Sequence, residues 1–338
     1  MTAQGDSQSG CTSRLQTVLI ASSLEKGSNP IVTTGAALAR AAGARIYLVH
    51  VAPPAPVAVG LETGWPAPGA FQEKAERQRQ LWDQAERLRI DPEELAGVEV
   101  ISGPPHRVII QTAQRIGAGL IVIGASEPGH RPFKLLGSTA DRVVRQATCP
   151  VLVLRGELAV PPRRLLMPVD LSELSADAFR CGLGLLDQIS NGEPPEIEAF
   201  YVLDFLDQLD FLQPDMPWVT TSQQVEPRAA WELARFVREN SGRSKAPVRT
   251  MVRPGDAGVE ILAESERQQP DLILLGTHGH GGFDRLLLGS IASTVLQKAP
   301  CSVLMIPPVV SREREIADAV LAQAAPAWLA EQPALKET

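Results

Sequence analysis

The sequence predicts an α/β protein made of two tandem doubly wound, five-stranded parallel-sheet domains of Rossmann-like type. Three observations predict it. Runs such as Leu272–Leu275 (LILL) and Val151–Leu154 (VLVL) are apolar at every position, the pattern of parallel strands buried on both faces by helices. Such runs alternate with amphipathic or Ala-rich stretches, the order of βαβ units. Finally, residues 119–153 (GLIVIG…GS…ATCPVLV) return at 271–305 (DLILLG…GS…APCSVLM), 152 positions later, the mark of an internal duplication.

The elements follow in order. Thr17–Ala21 (TVLIA) is a strand, followed by a Gly/Ser/Asn/Pro turn and a helix over Ile31–Ala42. Arg45–Val51 is a second strand, and Ala52–Gly69 holds too much Pro and Gly to be anything but loop. A charged helix spans Ala70–Leu88, its run Glu73–Arg89 reading as a solvated face. Then come a strand at Val98–Ile101, a helix at His106–Ile116, a strand at Leu120–Ile123, a helix at Ser138–Gln146 and the strand Val151–Leu154. The second copy repeats this with strands at Arg164–Pro168, Glu196–Val202, Val248–Val252, Leu272–Leu275 and Ser302–Ile306. Its helices fall at Ala176–Leu186, Pro227–Asn240, Ala257–Gln268 and Ser290–Lys298. The domains are therefore 14–155 and 163–310, joined by Gly156–Pro162, with a C-terminal tail at 311–338 that begins helix-like.

Composition narrows the function. A chain of 338 residues suits two domains. With 44% hydrophobic but only 4% aromatic residues, their cores rest on Leu, Val, Ile and Ala. A net charge of −7 argues against a nucleic-acid protein. The longest uncharged run, Ile46–Leu61, is cut by Pro53, Pro54 and Pro56, so no membrane span is expected, and the N-terminus lacks the apolar core of a signal peptide. A cytoplasmic protein is expected. Cys149 and Cys301 occupy equivalent places before the last strand of each copy and read as small buried hydrophobes.

The chemistry-bearing segment lies in the second copy. Gly276, Gly279, Gly289 and Ser290 form a G-x2-G-x9-G-S pattern. Glycines let backbone N–H groups approach an anion, and Gly289-Ser290 opens a helix whose first N–H groups have no intrahelical partner. Ser290 either caps that helix or donates to a phosphate oxygen. At the end of the first strand stands Pro168-Val169-Asp170-Leu171-Ser172. Asp170 either accepts hydrogen bonds from ribose hydroxyls or caps the next turn; the nearby glycine loop favours the ligand role. In doubly wound sheets, ligands sit beyond the strand C-termini where the strand order reverses. The first copy departs from the pattern, with Ser23 in place of Asp170 and Glu127 in place of Gly279. A carboxylate there repels phosphate by about 1 kcal/mol at 4 Å in water and by several times more in a dry site. Nearby His130, Arg131 and Lys134 offset part of that charge.

PVDLS, the glycine pattern, the following SIASTVLQKAPCSVLMI and the Gly255-Asp256 turn resemble the universal stress protein family in tandem form, over roughly 14–155 and 163–308. The resemblance implies a site residue by residue. Val169 and Val202 would line the adenine pocket, Asp170 would hold the ribose, and Pro168 would be a further cofactor-binding residue. Leu275 and Gly276 would touch the nucleotide through backbone, and Gly279, Gly289, Ser290 and the N–H of Ile291 would hold phosphates. Ala292 stands where the family often carries a hydroxyl. The implied ligand is ATP, with or without Mg2+, bound chiefly in the second copy of a regulatory, stress-response protein rather than an enzyme. The implied assembly is a homodimer or an intrachain pseudo-dimer through the last strands, with a further protein partner. A nucleotide-independent dimerisation scaffold and a slow ATPase are the alternative readings.

Other signals carry less. His278 and His280 lack further ligands at metal-site spacing. THGH follows the fourth strand rather than the first, unlike the HxGH of nucleotidylyl transferases. No G-x4-G-K-[ST] is present, and Gly124–Pro128 fails the nucleophile elbow at its last position. His50, ending a strand, reads as structural.

Overall fold

The computed structural model describes residues 14–53, 70–125, 136–190, 192–204, 222–242, 244–279 and 288–308. The strands are β1 (Thr17–Ser22), β2 (Arg45–Ala52), β3 (Leu95–Ser102), β4 (Leu120–Gly124) and β5 (Val151–Leu154) in the first half. They are β6 (Arg164–Val169), β7 (Glu196–Leu203), β8 (Val248–Pro254), β9 (Leu272–Gly276) and β10 (Ser302–Ile306) in the second. The helices are α1 (Asn29–Ala42), α2 (Ala70–Arg87), α3 (Pro105–Ile116), α4 (Ser138–Gln146), α5 (Glu173–Ile189), α6 (Ser222–Asn240), α7 (Ala257–Gln268) and α8 (Ser290–Lys298).

All ten strands form one sheet in the order β3-β2-β1-β4-β5-β10-β9-β6-β7-β8. Within each half every pairing is parallel, and the order reverses between β1 and β4 and between β6 and β9. These are the two switch points that open a crevice. The seam between the halves is antiparallel, with Val153 opposite Val303, Leu152 opposite Leu304 and Val151 opposite Met305. The strands of the two halves therefore run in opposite senses, and the two crevices lie at opposite ends of the sheet. Arg155 reinforces the seam: its N–H donates to Ser302 Oγ (3.1 Å) and its guanidinium to the carbonyls of Leu296 (2.7 Å) and Gln297 (3.0 Å) in the last turn of α8.

Each face of the sheet has a continuous core that crosses the seam. On one face α1, α2, α5 and α6 cover residues such as Ile20, Leu48, Leu152, Leu274 and Leu304. Phe179 meets Phe236 edge-on there at 5.6 Å. On the other face α3, α4, α7 and α8 cover Leu19, Ile121, Val153, Ile273 and Val303. Cys149 and Cys301 pack against this second core, and burial pushes their thiols up to about 12 and about 11. The expected small-hydrophobe role fits them.

Helix ends follow local chemistry. Prolines open α1 and α3, and Gly43 and Gly117 close them in the left-handed region at φ 64° and 62°. Several boundaries correct the sequence reading, β3 starting at Leu95 and α5 ending at Ile189 among them. Helix α5 starts at Glu173, not Ala176, because Ser172 Oγ accepts from the Ser175 N–H at 3.1 Å and caps it. Helix α6 starts at Ser222 and runs through Pro227, not from Pro227 as the sequence predicts. Pro227 has no N–H to offer the carbonyl four residues before it, so the second turn lacks one helical hydrogen bond. The expected C-terminal tail lies outside the described residues.

Leu152 is 2% exposed and borders a small apolar cavity of about 30 Å³ shared with Leu15, Leu120, Leu185, Leu272 and Leu304. Leu152→Ala enlarges a void that both halves line. Urea unfolding is expected to show a loss of about 2–5 kcal/mol, whereas Lys298→Ala, on the exposed last turn of α8, stays within about 0.5 kcal/mol.

Candidate functional site

The crevice of the second half forms where β6 and β9 part. Strand β6 ends at Val169, which is 8% exposed, and the chain turns through Leu171 at φ 62°. A branched residue in that region costs about 1–3 kcal/mol unless its surroundings hold it there. Asp170 and Ser172 do so. Asp170 Oδ1 accepts from the Ser172 N–H (3.0 Å) and the Ser172 hydroxyl (2.6 Å), while the Asp170 N–H donates to Ser175 Oγ (3.3 Å). The same Ser172 caps α5, so the helix start and the Asp170 side chain are fixed together. One Asp170 oxygen thus serves the turn, as the structural reading expected. The other, Oδ2, lies against Gly279, where any Cβ would collide with it.

Strand β9 delivers Gly276, whose missing Cβ would stand 3.3 Å from both Ala178 Cβ and the His278 carbonyl. The Thr277 N–H donates to the Ile306 carbonyl (2.9 Å), and the Gly289 N–H donates to the Thr277 carbonyl (2.9 Å). These two bonds pin the mouth of the loop, so Gly289 sits beside His278 although eleven positions separate them. Thr277 Oγ1 and His278 Nδ1 are 2.8 Å apart.

Helix α8 begins without a side-chain cap, and here the structure corrects one option. Gly289 is its cap residue, and Ser290 is the first helical residue and makes no capping bond. The Ser290 side chain is exposed, Ile291 is 42% exposed and Ala292 is 5% exposed within the core. The first helical hydrogen bond runs from the Ser293 N–H to the Gly289 carbonyl (2.8 Å), so the N–H groups of 290–292 precede the ladder at the positive end of the helix.

The structure thus brings Asp170, Gly276, Gly279, Gly289, Ser290 and Ile291 to one end of the sheet. Pro168 pairs with Phe200 inside the β6–β7 ladder, and Val202 and Leu275 are each 6% exposed in the core beneath the rim. Arg253 escaped the sequence reading. The β7–β8 register sets it opposite Val202, and its Nε is shut off from solvent with no acceptor among the described residues. Ile101 holds the matching place in the first half, opposite Val51. A cation set between two strand ends was the available signal.

The first half fills the corresponding region with its own polar groups. Ser22 Oγ lies 3.1 Å from Ser28 Oγ and donates to Gln84 Oε1 (2.6 Å). Gln84 Nε2 donates to Ser28 Oγ (3.1 Å) and Asn29 Oδ1 (2.8 Å). His50 Nδ1 lies 2.9 Å from the Ser22 carbonyl, and Arg77 approaches its Nε2 at 3.2 Å. Burial and then Arg77 lower the His50 pKa, while the Ser22 carbonyl opposes them. His50 is a structural residue, as expected. In β6 and β7 the matching places hold Val169 and Tyr201. Glu127, His130, Arg131, Lys134 and His280 lie outside the described residues. Among the described residues no three His, Cys, Asp or Glu converge on a point, and no helix is long and apolar enough to cross a membrane.

Comparison with known proteins decides the family. The universal stress protein family matches residues 14–155 and again 162–307. The chain belongs to the universal stress protein family. A relative is universal stress protein Rv2623 of Mycobacterium tuberculosis, 27% identical over 269 residues, 77% of this chain and 86% of the relative. A shorter one, universal stress protein MJ0531 of Methanocaldococcus jannaschii, is 26% identical over 144 residues, 43% of this chain and 81% of the relative. Among solved structures, a universal stress protein from Archaeoglobus fulgidus superposes with a TM-score of 0.59 at 17% identity, covering 87% of this chain and 96% of that one. Protein PA1789 of Pseudomonas aeruginosa gives 0.61 at 17% identity, covering 91% and 99%. At that identity the structures establish the α/β fold, as the sequence predicted.

Ser172→Ala removes the cap of α5 and the hydroxyl held by Asp170 together. Thermal unfolding of the full chain is expected to show a loss of about 0.5–2 kcal/mol, which Ser172→Thr restores in large part.

Proposed function

We propose that this universal stress protein is a nucleotide-responsive regulator of the cytoplasm that binds ATP, with or without Mg2+, in its second half. The observation that carries the reading is the bare backbone of Gly279 against the Asp170 carboxylate. A carboxylate suited to ribose hydroxyls and a segment suited to phosphate are held side by side, and any larger residue at 279 destroys the arrangement. In this reading Asp170 accepts from the ribose. The backbone at Leu275, Gly276 and Gly279 follows the nucleotide, and Gly289, Ser290 and the N–H of Ile291 receive phosphate at the start of α8. Pro168, Val169 and Val202 border the base, and Arg253 adds a cation at that end.

Binding to the folded chain stabilises it by mass action, by about 2.7 kcal/mol when ligand stands at a hundred times its dissociation constant. Occupancy thereby sets how firmly the rim around α5 and α8 is held, which is the means by which a non-enzymatic regulator changes what it presents to a protein partner. The intrachain pseudo-dimer already uses both last strands, because β5 and β10 each have neighbours on two sides. A scaffold that pairs two chains through those edges would have to open this seam first.

Calorimetric titration with ATP tests the proposal. The wild-type chain is expected to bind, and Asp170→Ala to bind about tenfold to a hundredfold more weakly through loss of a charged hydrogen-bond acceptor. Ser23→Ala in the first half is expected to change nothing. Binding that survives Asp170→Ala unaltered, or no binding at millimolar ATP, contradicts it.

A further inference from the structure

At the opposite end of β7 from Val202, a second charged cluster lies outside the crevice. Glu198 on β7 and Glu264 on α7 stand within hydrogen-bonding reach of each other on the face covered by α7. The Glu264 side chain is 1% exposed, and its Oε2 accepts from the Arg267 guanidinium. That leaves Oε1 of Glu264. Glu198 Oε1 and Glu264 Oε1 are both shut off from water, and neither receives a hydrogen bond from any donor among the described residues. Two ionised carboxylates facing each other repel, and each buried, unpartnered Oε1 carries the cost of lost hydration. A single proton between them removes both penalties.

The first half meets the same positions differently. Tyr47 stands on β2 where Glu198 stands on β7, each beside the third residue of the neighbouring strand, Leu19 or Leu166. Thr112 is the eighth residue of α3 as Glu264 is of α7, and Arg115 matches Arg267. There Arg115 donates to the Tyr47 hydroxyl at 3.1 Å, and no pair of buried acids arises. The two acids belong to the second half alone.

We propose that Glu198 and Glu264 form a proton-binding site, in which Glu198 Oε1 carries a proton and donates it to Glu264 Oε1 while Arg267 neutralises the ionised Glu264. The charged groups facing Glu198 are Glu264 and Arg267 from α7 and Arg249 from β8, and its neighbour on β6 is the apolar Leu166. Burial first, and the Glu264 carboxylate second, push the Glu198 carboxyl above its ordinary range; Arg249 and Arg267 oppose them. The folded chain therefore keeps a proton that the unfolded chain releases near the ordinary glutamate value of about 4.3. The stability this proton confers is complete below that value and is lost as pH rises through the higher folded value. The outer strands and α7 of the second half thus loosen with alkalinity, whether or not nucleotide is bound.

Infrared spectroscopy and thermal unfolding of the full chain test this. As pH rises above the ordinary glutamate value of about 4.3, the carbonyl stretch of one protonated, hydrogen-bonded carboxyl is expected to outlast those of the other acids in the wild type, and Glu198→Gln is expected to lack it. Over the same rise in pH the wild-type Tm is expected to fall relative to that of Glu198→Gln, whose amide N–H replaces the donated proton at every pH. Glu198→Tyr, the first half's own residue, serves as a second variant with the same expectation. No such band in the wild type, a band that persists in both variants, or pH profiles that run parallel would overturn the proposal.

Discussion

The antiparallel pairing of β5 with β10 is the constraint on which the rest of the molecule depends. Each half ends in a short strand that is apolar on both faces, and such a strand cannot leave its edge in water without exposing unpaired backbone groups beside hydrophobic side chains. The two edges satisfy each other across Val151–Val153 and Val303–Met305. Two five-stranded sheets become one of ten, and the core on each face runs through without a break. Because the seam is antiparallel, it also sends the two switch-point crevices to opposite ends. The two crevices therefore stand at separate sets of strand ends.

Among the described residues the two sets of strand ends differ in the kinds of side chain they carry. At the ends of β1 and β2 the side chains of Ser22, Ser28 and Gln84 hydrogen-bond one another, and His50 lies against the Ser22 carbonyl. At the ends of β6 and β7 the matching strand positions are Val169 and Tyr201, and Asp170 stands at the rim facing a glycine. The same exchange recurs at the far end of the strands. Tyr47 and Thr112 in one half become Glu198 and Glu264 in the other. Duplication supplied two copies of a stable frame, and buried polar groups, each of which must find a partner, now set what each copy can do.

The duplicated order and nearly every strand were legible in the sequence because buried parallel strands leave an unmistakable signature, as LILL and VLVL do. The glycines at 276, 279 and 289 were legible as a pattern. What was not legible was how they are held. That Ser172 fixes both α5 and the Asp170 carboxylate depends on a turn through Leu171 at φ 62°, a conformation that leucine does not announce. Ser290 read equally well as a cap or as a ligand donor, and only the backbone shows that Gly289 holds the cap position. Arg253 and the Glu198–Glu264 pair were invisible for another reason. Each depends on which residues a register or a helix face places together across fifty or more positions of chain, and no local spacing encodes that.

Native mass spectrometry of the intact chain in the presence of ATP tests the central claim most directly, because it counts ligands on each molecule. The account requires one nucleotide per chain, absent when Gly279→Glu sets a side chain against Asp170 and retained when the first half carries Ser22→Ala. Two equivalent nucleotides per chain, or one that persists in Gly279→Glu, would contradict it.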